Sequence, residues 1–186
     1  MSTRNLLIFT GALALSACAT MQRSDTAATM PATQASSAST MAIIDFHGFG
    51  PAKFGANEEA VRIAWGRDLT DGGATSDSCR QLFAADAYGI SFMLEVGKFV
   101  RYDVSTDKYS EPGGLKVGDQ ATKIESVYAG RFSKQPHKYE QNAFYYIVTP
   151  NDGSATRLVF EVGANALISR WRIGLPPAVH YVEGCA

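Results

Sequence analysis

Two stretches of this chain share one pattern, 63 positions apart. Residues 54–66 open on Phe54-Gly55 and close on Trp65-Gly66; residues 117–130 open on Val117-Gly118 and close on Tyr128-Ala129-Gly130. Between those limits Val61, Ala64 and Trp65 correspond to Ile124, Val127 and Tyr128. Apolar residues at i, i+3 and i+4 line one face of a short helix. Asn57 or Asp119 suits the start of such a helix and the closing glycines its end. A second block repeats behind the first. Residues 92–104 and 158–173 each read as strand, glycine turn, strand, turning at Glu95-Val96-Gly97 and Glu161-Val162-Gly163. Val100, Tyr102 and Val104 alternate with Arg101 and Asp103, the period of a strand with one buried face. Ile168, Arg170 and Arg172 alternate less regularly with Ser169, Trp171 and Ile173. Further strands are expected at 79–83, 88–92 and 144–149, and loops at 70–77 and 109–114.

The chain ahead of these blocks obeys other rules. Arg4 is the one charge in residues 1–18, residues 6–15 are mostly apolar, and Leu15-Ser16-Ala17-Cys18 brings small residues up to a cysteine. An apolar run this short matches a secretory signal rather than a membrane span. The Leu-Ser-Ala-Cys ending resembles a bacterial lipobox, which implies cleavage before Cys18 and lipidation of its thiol. Each buried CH₂ of an acyl chain contributes about 0.8 kcal/mol, so several chains anchor a protein durably. Residues 19–40 are rich in Ala, Ser, Thr and Gln, with one proline (Pro31) and no aromatic residue. They bury too little apolar surface to offset their ordering entropy and read as a disordered tether reaching about 25 Å. Ala19, where an inner-membrane retention signal has aspartate, directs the reading to the periplasmic face of the outer membrane.

Residues 41–186 remain, enough for one domain with its own core or for two very small ones. With Arg4 removed the 17 basic residues become 16 against 18 acidic, a net charge of −2 without a basic cluster. That balance argues against nucleic acid as a partner. With Cys18 lipidated, Cys79 and Cys185 are left as a pair, and in an oxidising compartment such a pair forms a disulfide. The bridge would pin a C-terminal arm to the middle of the domain, closing a loop of 107 residues, for which chain entropy gives about 4–5 kcal/mol. A catalytic or metal-binding thiol is the alternative, but no CxxC and no His–Cys spacing accompanies either residue.

Gly55, a short capped helix ending in Trp65-Gly66, a strand and a Glu-Val-Gly hairpin together resemble the repeat unit of the β-lactamase inhibitor protein superfamily, shared by outer-membrane lipoproteins of the SmpA/BamE type. The family's methionine after the first glycine is Ala56 here and Asp119 in the second unit. The resemblance implies an α+β domain of two tandem helix-plus-antiparallel-hairpin repeats, about 46–108 and 109–174. Their strands would form a sheet with helices on one face and the other face open, followed by the C-terminal arm.

Catalytic patterns are thin. His47, His137 and His180 are dispersed, with no HExxH and no Gly-x-Ser-x-Gly elbow. Asp45 and His47, two residues apart, would share a strand face as possible metal ligands, with a surface histidine as the alternative. Gly48-Phe49-Gly50 lacks the βα unit of a phosphate loop. Glu95 and Glu161 hold equivalent repeat positions and are expected at hairpin turns. No cofactor and no enzymatic activity are expected. Residues 131–146 are richer, because they interleave aromatics with cations as protein-binding surfaces do. His137, Lys138, Tyr139 and Tyr145 are candidate contacts, as are Arg170, Trp171 and Arg172 on the last hairpin. In the alternative reading Phe144 and Tyr146 enter the core and Tyr145 faces out. Alternation on a sheet would put Trp171 on one face and both arginines on the other. The expected function is a membrane-anchored, non-enzymatic recognition module that binds another periplasmic or outer-membrane protein as an envelope accessory. A hydrolase inhibitor or immunity protein, or a carbohydrate binder stacking sugar on Tyr139 or Trp171, are the alternatives.

Overall fold

The computed structural model describes residues 44–72, 76 and 78–185. The lipobox at Cys18 and the tether at 19–40 lie outside the described residues. A small antiparallel sheet of β1 (Ile44–Asp45), β2 (Gly48–Phe49) and β3 (Ala52–Lys53) comes first. Helix α1 (Glu58–Trp65) follows, then β4 (Thr70–Asp71), β5 (Cys79–Phe83), β6 (Ile90–Glu95) and β7 (Lys98–Val104). Helix α2 (Ala121–Val127) leads into β8 (Phe132–Pro136), β9 (Phe144–Val148), β10 (Arg157–Val162) and β11 (Ile168–Gly174). These eight strands form one antiparallel sheet in the order β4-β5-β6-β7-β11-β10-β9-β8.

This overturns the expected fold class. The domain is mostly β, an eight-stranded sheet plus a three-stranded one with two short helices, and is not a pair of helix-plus-hairpin repeats. The 3.6-residue periodicity that suggested repeating helical units covers only 8 and 7 residues of helix. The second matched start also differs in detail. Asn57 caps α1 by accepting the Ala60 N–H at 3.0 Å, and Gly66, at φ +72°, closes it in the left-handed region. Asp119 does not cap α2. Its carboxylate takes the Lys116 N–H at 2.9 Å and Lys123 Nζ at 2.5 Å, and Gln120 stands at the cap without a side-chain bond. Strand β4 falls within the 70–77 segment expected as loop, β8 lies in a stretch for which no strand was expected, and β2 and β3 were not anticipated.

Cross-strand register explains the core. Leu82, Phe92, Tyr102, Ile173, Leu158 and Val148 follow one another across the sheet on one face, together with Trp171 and Phe160. Val61 of α1, Ile124 of α2 and Phe49 of β2 pack onto the same cluster. At the seam between β7 and β11 the backbones close up. A Cβ on Gly174 would lie 2.6 Å from the Val100 carbonyl oxygen, so no larger residue fits there.

The opposite face is not open. After β11 the chain turns back, Leu175 N–H bonding to the Val100 carbonyl at 2.8 Å, and residues 175–185 cross that face as an arm. Ala178 packs on Met93 and Val100, and Val179 on Tyr145 and Val159. The arm ends at the Cys79–Cys185 disulfide, Cα–Cα 5.5 Å, which is the expected pairing. No helix among the described residues is long and apolar enough to cross a membrane.

Candidate functional site

The arm covers charge. Alternation in β7 sends Tyr102 into the apolar core and Arg101 and Asp103 to the other face, and in β11 it sends Trp171 inward and Arg172 outward. Arg101 is 2% exposed and grips Asp103 with two bonds, Nε to Oδ2 at 2.8 Å and Nη2 to Oδ1 at 2.6 Å. Its Nη1 donates to the carbonyls of Ala178 at 3.0 Å and Tyr181 at 2.6 Å, both in the arm. Arg172, also 2% exposed, donates Nε to the Val179 carbonyl at 2.7 Å and Nη1 to Glu161. Burial lowers the Arg172 pKa from its usual value, the nearby Arg101 lowers it further, and Asp103 and Glu161 oppose both. The result is a balanced row, Glu161–Arg172–Asp103–Arg101, with further donors of both guanidinium groups bonded to backbone carbonyls of the arm. A buried charge is tolerated only with such pairing and hydrogen bonding.

Beside the arm the 137–143 loop joins β8 to β9. The His137 ring stacks on Tyr145, centroids 4.6 Å apart at 27°. His137 Nδ1 accepts the N–H groups of Tyr139 at 3.2 Å and Glu140 at 3.1 Å. Glu140 in turn accepts the Ala164 N–H at 3.1 Å. The loop backbone is therefore tied at several points, while the Tyr139 ring stands out, 62% exposed. Lys138 Nζ lies 4.9 Å from that ring's centroid and 3.0 Å from Glu183 Oε1 in the arm.

Several clefts flank the arm among the described residues. One, of about 360 Å³, is lined by Gln81, Ser91, Asp103, Ser105 and Arg170 among others. Another, of about 450 Å³, lies between the β8–β9 hairpin and the arm, walled by Gln135, Lys138, Tyr145, Arg172 and His180. Burial lowers the His180 pKa, with Arg172 and Arg157 adding to the effect.

The sequence-derived candidates divide on this geometry. His137, Lys138 and Tyr139 come together on the loop, and Arg170 is exposed at the first cleft. Trp171 cannot be a surface contact. It is fully buried, edge-on to Tyr102 at 6.0 Å, because the two helices and the small sheet cover its face. Arg172 and Tyr145 lie on the other face as alternation required, but the arm buries them too. Glu161 is not at a turn; it lies in β10 and pairs with Arg172. Asp45 bonds to Lys53 at 2.9 Å, and the exposed His47 imidazole is 3.8 Å from Asp152. Among the described residues no three His, Cys, Asp or Glu side chains gather around a possible metal position. Sequence reasoning missed Arg101, Asp103, His180 and Glu183. Their one sequence signal was the cysteine pair, which demanded that the C-terminal segment cross strand β5.

No protein-family model matches the chain, and no curated protein matches it. Three chains of known structure do. One is an extracellular protein containing an SCP domain from Bacillus anthracis str. Ames, 10% identical, with a TM-score of 0.47. The likeness covers 66% of this chain but only 44% of that one. Another is the uncharacterized protein yfeY from Escherichia coli, 16% identical over 70% of this chain and 98% of its own, with a TM-score of 0.49.

Proposed function

We propose that this chain is a lipid-anchored envelope protein that recognises another protein by surface contact, without catalysing a reaction, where the 137–143 loop meets the C-terminal arm. Tyr139 carries the reading. Its ring is exposed on a loop whose backbone is tied by His137 and Glu140. An aromatic side chain on a preorganised loop loses little freedom on binding, and tyrosine is enriched among residues whose truncation costs most affinity. The Lys138–Glu183 pair joins the loop to the arm, and the Cys79–Cys185 bridge joins the arm to β5, so the surface is held as one piece. The lipobox-like Leu15-Ser16-Ala17-Cys18 ending favours a partner at the periplasmic face of the outer membrane, in an accessory role.

The test places a photocrosslinking phenylalanine analogue at position 139 in cells, and another at position 63. Ile63 is 68% exposed on α1 and serves as a control. Position 139 should give a discrete protein adduct and position 63 should not. Binding of that protein should fall by about 2 kcal/mol or more, roughly 30-fold, in a Tyr139→Ala variant with an unchanged melting curve. A folded Tyr139→Ala variant that binds like wild type overturns the reading. For the anchor, Cys18→Ser should release the protein from membranes; retention after a salt wash would remove lipidation as its cause.

A further inference from the structure

We propose that the cleft between the β8–β9 hairpin and the arm binds a carboxylate, and that its occupant is an acidic side chain of the partner polypeptide. The inference rests on the recognition reading above and names the chemistry the partner must present. It starts from Tyr145. That residue is 6% exposed and its hydroxyl is buried; the Lys138 backbone N–H faces it, but the hydroxyl proton has no acceptor among the described residues. Buried hydroxyls are rarely left unpaired, because desolvation without a partner is unfavourable. A ligand completing that bond accounts for the vacancy. Burial also raises the Tyr145 pKa, so the phenol keeps its proton and can donate.

The rest of the wall offers donors as well. Arg172 uses Nε on Val179 and Nη1 on Glu161, which leaves Nη2 without a described partner. Lys138 gives one of its three N–H bonds to Glu183. Gln135 contributes an amide and His180 an imidazole, and no Asp or Glu side chain lines the cleft. Ile147, Val159 and Val182 supply an apolar floor. The charges around the cleft are already balanced by Glu161, Asp103 and Glu183. Attraction therefore comes from directed donors above an apolar surface rather than from net charge. A planar carboxylate accepts from a hydroxyl, a guanidinium edge and an ammonium together, and an aliphatic stem fits the floor. Lys138 both lines the cleft and lies against the Tyr139 ring, so a partner seated on Tyr139 reaches the cleft with its neighbouring residues.

The experiment is an NMR titration of the full chain in detergent micelles. The probe is an acetylated, amidated Ala-Leu-Glu-Leu-Ala peptide, with its glutamine counterpart and sodium hexanoate as comparisons. The glutamate peptide should shift the Ile147, Val159 and Val182 methyl signals saturably, and the glutamine peptide should bind about tenfold more weakly. Lys138→Gln and Tyr145→Phe should each weaken the glutamate peptide roughly fivefold. Tyr145→Phe should melt at or near the wild-type temperature, since the hydroxyl donates to no described group of the protein. Equal binding of the two peptides, no saturable shift in the cleft, or a destabilised Tyr145→Phe variant would each overturn the proposal. Hexanoate binding as tightly as the glutamate peptide would overturn the polypeptide as occupant. The titration needs no natural partner, so it can fail while the crosslink at position 139 persists, and the reverse also holds.

Discussion

On one face of the main sheet Phe92, Tyr102, Phe160 and Trp171 are sealed by α1, α2 and the small sheet, apolar surface against apolar surface. On the other face Arg101, Asp103, Arg172 and Glu161 pair with one another beneath a strip of backbone whose carbonyls accept from the two guanidinium groups. The first kind of burial is non-directional and roughly proportional to area, so its losses are local. The second depends on partners, so removing one member exposes the unfavourable burial of the next. The apolar face makes the domain stable. The charged face makes the position of the arm specific, because only one path of the backbone delivers carbonyls to both guanidinium groups.

The largest effects should test that contrast directly. Trp171→Ala should lose about 3–5 kcal/mol as a large-to-small core change. Asp103→Ala should lose a similar amount, about 3–5 kcal/mol, by leaving Arg101 buried without its carboxylate. The faces separate in double variants. Adding Phe49→Ala to Trp171→Ala should add further loss, whereas Arg101→Met/Asp103→Leu should be more stable than Asp103→Ala alone. Urea unfolding of the five proteins decides this. An arm-face double replacement no more stable than Asp103→Ala alone would break the comparison. Next in size is the bridge. Cys79→Ala should cost about 2–4 kcal/mol, and amide exchange should accelerate at residues 178–181, the arm turn over the charges, before it does in β7 and β11. Uniform acceleration would mean that the arm is not a separate element.

The same contrast explains what the sequence disclosed. The core face of β7 was legible in the spacing of Tyr102 and Val104, and Trp171 was correctly separated from its flanking arginines by alternation; Val100, expected beside Tyr102, instead packs under the arm, because the β6–β7 register shifts at Met93/Leu94 and Phe99 takes the core position. The burial of Arg101, Asp103, Arg172 and Tyr145 was not legible. A polar residue alternating with apolar ones reads as facing solvent unless something distant covers it, and here the cover lies some 77 residues beyond Arg101 at Ala178. The overall architecture was misread because the matched segments around Val61 and Ile124 drew weight toward helical repeats. Strand β8, Phe-Ser-Lys-Gln-Pro, carries no apolar alternation and ends in proline, and such a sequence is compatible with a strand only at a sheet edge, where β8 lies. Of the candidate site, Tyr139 and Lys138 were visible in the interleaving of aromatics and cations; Glu183 and His180 were not, because only the fold brings the arm to them.

A smaller effect probes the helices that seal the apolar face. Asn57→Ala removes the bond to the Ala60 N–H and should cost about 1 kcal/mol, with exchange rising in the first turn of α1 and not in the arm. An equal rise in the arm would show that the two faces are coupled through the sheet.

The smallest effect concerns one carboxylate that breaks the rule of its face. Glu111, in the segment between β7 and α2, is 2% exposed on the helix side. It accepts the N–H groups of Gly113 at 2.8 Å and Leu115 at 2.7 Å and the Tyr128 hydroxyl, with no cation among the groups that set its pKa. Burial raises that pKa above the ordinary carboxylate value, and the three hydrogen bonds reverse only part of the rise. The folded chain therefore holds this proton to a higher pH than the unfolded chain does. The contribution of Glu111 to stability is complete below the unfolded pKa, about 4.3, and is lost as pH rises through the folded value. Relative to a Glu111→Gln variant, wild type should lose stability as pH is raised from about 4 toward neutrality, read as a difference in the slope of urea midpoint against pH. The absolute offset between the proteins is not the test, since glutamine presents an N–H₂ where one backbone N–H now donates. Parallel slopes would mean that Glu111 is as well compensated as the paired charges under the arm, and the two faces would then handle buried charge alike.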